Sequence, residues 1–208
     1  MPVATVVPTK LQNLAVYIID KLDREIGTIE FVKLVYLIDI AYYRIFGRTL
    51  SNLKYFRYPK GPYTKEFANE ISELEAHEVT RQIKPSKGHS QFPKTAHKRG
   101  ENPRFQPSLK PEEQEVVDQV LLVAKDLEPL ELEKLAYRTE PMQAIVKREQ
   151  EAKQMLPPGE PIDFSLVKRD PYIEELFKNR ASKDSTITKE YEGFLQEERK
   201  EFEKLLYA

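Results

Sequence analysis

The chain has 208 residues, with 33 Lys and Arg against 34 Asp and Glu, 40% apolar residues, no Cys and no Trp. That length buries a core without disulfides or metals. The lack of Cys excludes disulfide scaffolds, Cys-ligated zinc, iron–sulfur clusters and thiol nucleophiles. A net charge of -1 excludes a globally basic nucleic-acid binder, though not a local basic patch.

No apolar run approaches the roughly 18 residues that cross a bilayer, and the opening Met-Pro-Val-Ala-Thr-Val-Val-Pro lacks a basic n-region. The expectation is a cytoplasmic protein with no membrane partner. Leu11, Leu14, Ala15, Ile18, Ile19 and Leu22 recur at helical spacing and predict an amphipathic helix over 10–22. Gly27 breaks the chain, and Thr28 reads as the N-cap of the next helix. That helix, predicted over 29–46, is apolar nearly all round and should lie centrally; Gly47 suits its C-terminal cap. Asp39 sits among its apolar residues. A buried carboxylate needs hydrogen-bond partners, and Tyr36 and Tyr43 lie within reach along the helix. It reads as a buried pin. Lys33 reads as an ion-pair member or a snorkelling side chain.

Residues 53–58 are aromatic-rich and read as extended, and Pro59-Lys60-Gly61-Pro62 reads as a turn. Tyr55, Phe56, Tyr58 and Tyr63 divide between two readings, core filling and a protein-binding hot spot. Phe67, Ile71 and Leu74 restore helical spacing. Residues 79–108 lose it and predict an irregular β-hairpin or extended arm. Pro111 opens a helix running to Leu127, with Glu112, Glu113 and Glu115 as a solvated helix start. Pro129 and Pro141 open two shorter helices. Residues 155–161 read as a linker by composition. Two helices are predicted beyond it, the second over 187–206 with an apolar stripe of Ile187, Tyr191, Phe194, Leu195, Phe202 and Leu205. That stripe suits packing on the body, with a homodimer seam or a docking helix as the runner-up. The expected fold is mainly α: a compact multi-helix domain over 1–156 with a small β-hairpin or extended arm, plus a C-terminal helical extension over 157–208.

Charge is uneven along the chain. Residues 84–110 carry seven bases against Glu101 alone, leaving -7 for the rest. Lys94, Lys98, Arg99 and Arg104 are the candidate phosphate contacts of this arm, with Phe92 or Phe105 to stack on bases. His77, His89 and His97 form no ligand pair, so no metal is expected. No phosphate loop, nucleophile elbow or Ser-x-x-Lys occurs, and neither an enzyme nor a cofactor is expected.

One run carries a family resemblance. Lys33, Tyr36, Asp39, Gly47, Arg48 and Leu50 fall on the marked positions of a KLxKLLYxxDxxYLxxxGRPL-type helix, and residues 58–63 (Tyr-Pro-Lys-Gly-Pro-Tyr) match a second motif at the right distance. The chain thus resembles the Panacea domain, the antitoxin SocA-like family, over roughly residues 10–150. Thr49 and Met142 stand where that pattern usually has Pro and Trp. The resemblance implies a mostly helical domain that neutralises a toxin protein encoded nearby by binding it. One family member is an adaptor that delivers its toxin to a protease. Lys33, Tyr36, Asp39, Arg48, Tyr58, Lys60 and Tyr63 are the expected partner-binding residues. A nucleic-acid-binding regulator acting through the arm is the alternative.

Overall fold

A computed structural model describes residues 8–83, 96–101 and 105–169. The helices predicted beyond residue 169 lie outside the described residues, as do Lys94, Arg104, Phe92 and His89.

The first helix, α1, spans Lys10–Leu22, with Thr9 as its N-cap. The Thr9 hydroxyl accepts from the Gln12 amide (3.1 Å), and the Gln12 side chain accepts from the Thr9 amide (3.0 Å). This reciprocal box satisfies two otherwise orphaned donors. After a two-residue strand β1, Ile26–Gly27, helix α2 runs over Thr28–Phe46. Its N-cap is Gly27, one residue earlier than expected, because the Glu30 carboxylate reaches back to the Gly27 amide. Thr28 is instead the first helical residue, and its hydroxyl lies 2.8 Å from His97 Nε2.

Helix α2 is central, as its all-round apolarity predicts. It ends at Gly47, which takes a left-handed φ of +67° and donates to the Tyr43 carbonyl (2.8 Å). The left-handed φ is what calls for Gly, since the nearest atoms to a Cβ there belong to the movable end of the Arg169 side chain.

A hairpin follows: β2, Phe56–Tyr58, pairs antiparallel with β3, Gly61–Tyr63, with Phe56 opposite Tyr63. Helix α3, Glu66–Ala76, leads to β4, Thr80–Ile83, which pairs with β5, Ala96–Arg99. Ile26 and Gly27 add β1 to the far side of β5, giving the first sheet the order β1-β5-β4. The sequence read Gly27 only as a break, because two residues carry no strand periodicity.

Helices α4, Pro111–Ala124, α5, Pro129–Tyr137, and α6, Glu140–Ala152, close the body, with α4 and α5 packed on α2. Helix α4 stops three residues short of the expected Leu127. Glu113 is buried rather than solvated, since Lys10 reaches it at 2.8 Å. Within the stretch read as a linker, Glu160–Pro161 forms β6 and pairs with β2, so the second sheet is ordered β3-β2-β6. A 3-10 turn, Phe164–Leu166, then places Phe164 against the rings of Tyr36, Tyr43 and Tyr55 at 5.5–5.8 Å. Backbone pairing and aromatic packing thus carry the chain onto the body well past 156. The fold is mainly α with two small antiparallel sheets.

Candidate functional site

Three polar side chains on the buried length of α2 each hold a different later segment. Asp39 is fully buried. Its Oδ1 accepts from the amides of Leu50 (2.7 Å) and Ser51 (2.8 Å). Its Oδ2 accepts from the Ser51 hydroxyl and the Tyr55 hydroxyl (2.8 Å for Tyr55). Burial pushes the Asp39 carboxyl up to about 6 even though all four donors oppose that rise. The expected pin is there, but Tyr36 and Tyr43 are not its partners. Side chains three or four residues along a helix point beside a carboxylate, whereas the chain folding back after Gly47 brings donors directly over it.

Tyr36, also fully buried, meets Thr139 Oγ1 at 2.7 Å. The Thr139 hydroxyl donates to the Ala136 carbonyl, so the Tyr36 hydroxyl is the donor in this pair. The contact fixes the α5–α6 junction against α2.

Lys33 is 2% exposed, and its Nζ donates to the Pro62 carbonyl at 2.5 Å. It neither snorkels nor forms an ion pair among the described residues. Burial pulls the ammonium down to about 8, and the more distant Glu133 works against that. Gly61 has a φ of +83°, and a Cβ there would lie 3.2 Å from the Tyr137 ring and 3.6 Å from Lys33 Nζ. The hairpin turn is therefore seated tightly on α2 and α5.

A fourth tie went unread in the sequence. Arg57, 2% exposed, donates from Nε to Glu149 Oε1 at 2.8 Å. Glu149 also accepts from the Leu156 amide (3.0 Å), so it joins α6, β2 and the run into β6.

With the inward positions Tyr55, Arg57 and Pro62 fixed from below, the outward ones face solvent. Phe56, Tyr58 and Tyr63 are half-buried; Tyr63 packs partly on the core, and Tyr58 and Tyr63 meet edge to face with centroids 5.3 Å apart. Lys60 is exposed at the turn. Arg48, also exposed, lies over the Tyr42 ring and donates to its hydroxyl (3.0 Å).

The family model described as antitoxin SocA-like, Panacea domain, matches residues 31–141. The chain belongs to this family. No curated protein and no solved structure matches it.

In this Panacea domain the expected site residues fall into two groups. Tyr58, Lys60, Tyr63 and Arg48 reach the surface. Lys33, Tyr36 and Asp39 do not, and their expected direct contact with a partner is corrected to an internal one. They are too buried to touch another protein, and they hold the hairpin and its neighbours in place.

Substituting Met for Lys33 separates the two effects of this buried cation. Removing the charge relieves a cost of about 3 kcal/mol, from the drop toward 8. Orphaning the Pro62 carbonyl costs about 1–3 kcal/mol. Net stability at pH 7 should change by no more than about 2 kcal/mol. The folded pKa lies below the unfolded one, so the unfolded chain binds more protons between pH 8 and 10. Urea unfolding should therefore show the parent protein gaining stability across that range and the Lys33→Met protein not doing so.

The basic arm is described only in part. Arg99 approaches Asp20 (Nε–Oδ1 3.4 Å) and donates to the Phe105 carbonyl (2.5 Å), so its charge serves the fold. Phe105 packs on the core and is not free to stack on a base. Lys98 stays half-buried beside an open cleft lined by both signs of charge, Asp20, Asp23 and Glu25 with Arg24, Arg81 and Arg99. His97 is buried between Thr28 and Glu75 (3.1 Å), and burial lowers its pKa.

Proposed function

We propose that this Panacea domain is a non-enzymatic antitoxin that neutralises a toxin protein by binding it directly, using the outer face of the β2–β3 hairpin. Membership of the antitoxin SocA-like family carries the reading. The hairpin supports the choice of surface. Its underside is held by Lys33, Tyr137 and the Arg57–Glu149 pair, so Tyr58, Lys60 and Tyr63 are presented in a fixed arrangement. Aromatic side chains ordered before binding lose little further entropy on contact, which is what makes Tyr effective at interface centres. Direct binding alone suffices for neutralisation; delivery of a bound toxin to a protease would need a second surface. Among the described residues no helix is long and apolar enough to cross a membrane.

The nucleic-acid alternative has less support. Among the described residues of its arm, Arg99 is engaged internally and Phe105 packs on the core.

The test is co-expression with the product of the adjacent gene. Growth arrest by that product alone, relieved by this chain, together with co-purification of the two, is the expected result. A harmless neighbour, or toxicity that persists with no complex formed, would sink the reading.

A further inference from the structure

The alternation along β2 extends one residue before it. Lys54, Phe56 and Tyr58 point outward, while Tyr55 and Arg57 point inward. Phe56 and Tyr58 are half-buried yet stand outside the set of side chains packed on the core. Across the sheet Tyr63 and Pro161 flank Phe56, and Lys60 sits at the turn. The outward face is thus an aromatic centre between lysines.

The sequence around it is one-sided in charge. Residues 40–65 hold six bases (Arg44, Arg48, Lys54, Arg57, Lys60 and Lys65) and no acid. Arg57 is matched by Glu149 and Arg44 by Glu140 (3.2 Å). Lys54, Lys60 and Lys65 are exposed and make no ion pair among the described residues. An aromatic centre flanked by two unmatched lysines, Lys54 and Lys60, complements a surface with an apolar middle and carboxylates at its rim.

From this we infer that the hairpin face recognises an acidic patch on a folded protein, which makes association electrostatically steered. The inference rests on the antitoxin reading and adds the chemistry of the partner. A nucleic acid is the less fitting occupant. Residues 40–65 and 84–110 each carry +6 in a chain of net -1, so the remaining residues carry -13. With so little net charge, the chain as a whole does not attract an extended polyanion, whereas a bounded acidic patch needs only a local cationic surface.

The experiment is calorimetric titration of the full chain with the product of the adjacent gene at 50 and 300 mM NaCl. Affinity should fall about tenfold or more over that range. The double variant Lys54→Glu/Lys60→Glu should bind about tenfold more weakly at low salt and lose most of the salt dependence. Tyr58→Ala should weaken binding about tenfold or more at both salts. Both lysines are exposed, so an unchanged melting temperature checks that the charge-reversed protein is folded. A complex indifferent to salt and to the double substitution would overturn the acidic-patch inference while leaving the antitoxin reading intact. No complex at all would remove both. A fifteen-residue oligothymidylate serves as a second probe. If it binds, and the double variant abolishes that binding, the face is a nucleic-acid site and the inference is wrong.

Discussion

Substituting Ala for Asp39 is expected to lower the unfolding free energy by about 4 kcal/mol, a large share of a typical domain's stability. The change leaves the Leu50 and Ser51 amides and the Ser51 and Tyr55 hydroxyls without their acceptor. Each orphaned buried donor costs about 1–3 kcal/mol, and relaxation of the loop recovers part of the sum. Asn keeps one acceptor oxygen and at pH 7 should cost about half as much. It also exposes the titration of the parent residue. The Asp39 carboxyl sits near 6 in the folded protein, above its usual 3.8. Between those values the native state holds the extra proton, so this group's contribution to stability falls as pH rises through that window. The total is about 3 kcal/mol over the roughly two units. The Asp39→Asn deficit, measured by urea unfolding from pH 4 to 7, should therefore narrow as pH rises. Comparing the two proteins at each pH cancels His97, whose lowered pKa acts with the opposite sign. A deficit that stays constant or widens would contradict the assignment.

Glu149→Ala is the second severe change. It strands the Arg57 guanidinium, 2% exposed, without its carboxylate and removes the acceptor of the Leu156 amide. Breaking one side of a buried pair typically costs about 3–5 kcal/mol. Removing both charges is a different experiment, because no uncompensated ion remains. Arg57→Met combined with Glu149→Leu should recover most of the lost stability in chemical denaturation. A double variant as unstable as Glu149→Ala would mean that the pair does more than neutralise itself.

The sequence revealed those features whose signal is local. The apolarity of α2, Pro111 at a helix start and Gly47 at a helix end each announce a backbone element within a few residues. Lys33, Tyr36, Asp39, Arg48 and the Tyr58–Tyr63 motif were legible as a set of marked positions within the matched span. Their division into buried and exposed was not. The partner of a buried polar group lies far along the chain: Thr139 is 103 residues from Tyr36, and Glu149 is 92 from Arg57. Periodicity says which way a side chain points and is silent on what it meets. Arg57 did leave a trace, as an inward position two residues after Tyr55 in an alternating run. A charge at such a position demands a counterion. Strand β6 left none, because two residues after a Pro-Pro-Gly run look like linker until β2 offers them an edge.

The late arrival of β6 has a consequence during synthesis. The hairpin is encoded by residues 56–63, but its neighbouring strand comes from 160–161 and its buried counterion from 149. A ribosome releasing this chain from the N-terminus delivers the hairpin roughly a hundred residues before the parts that complete its sheet. Over that interval the aromatic face stands on an unfinished support. It takes its final shape only when α6 and β6 have followed, so the proposed binding face is completed in one late step, past residue 161, and not gradually.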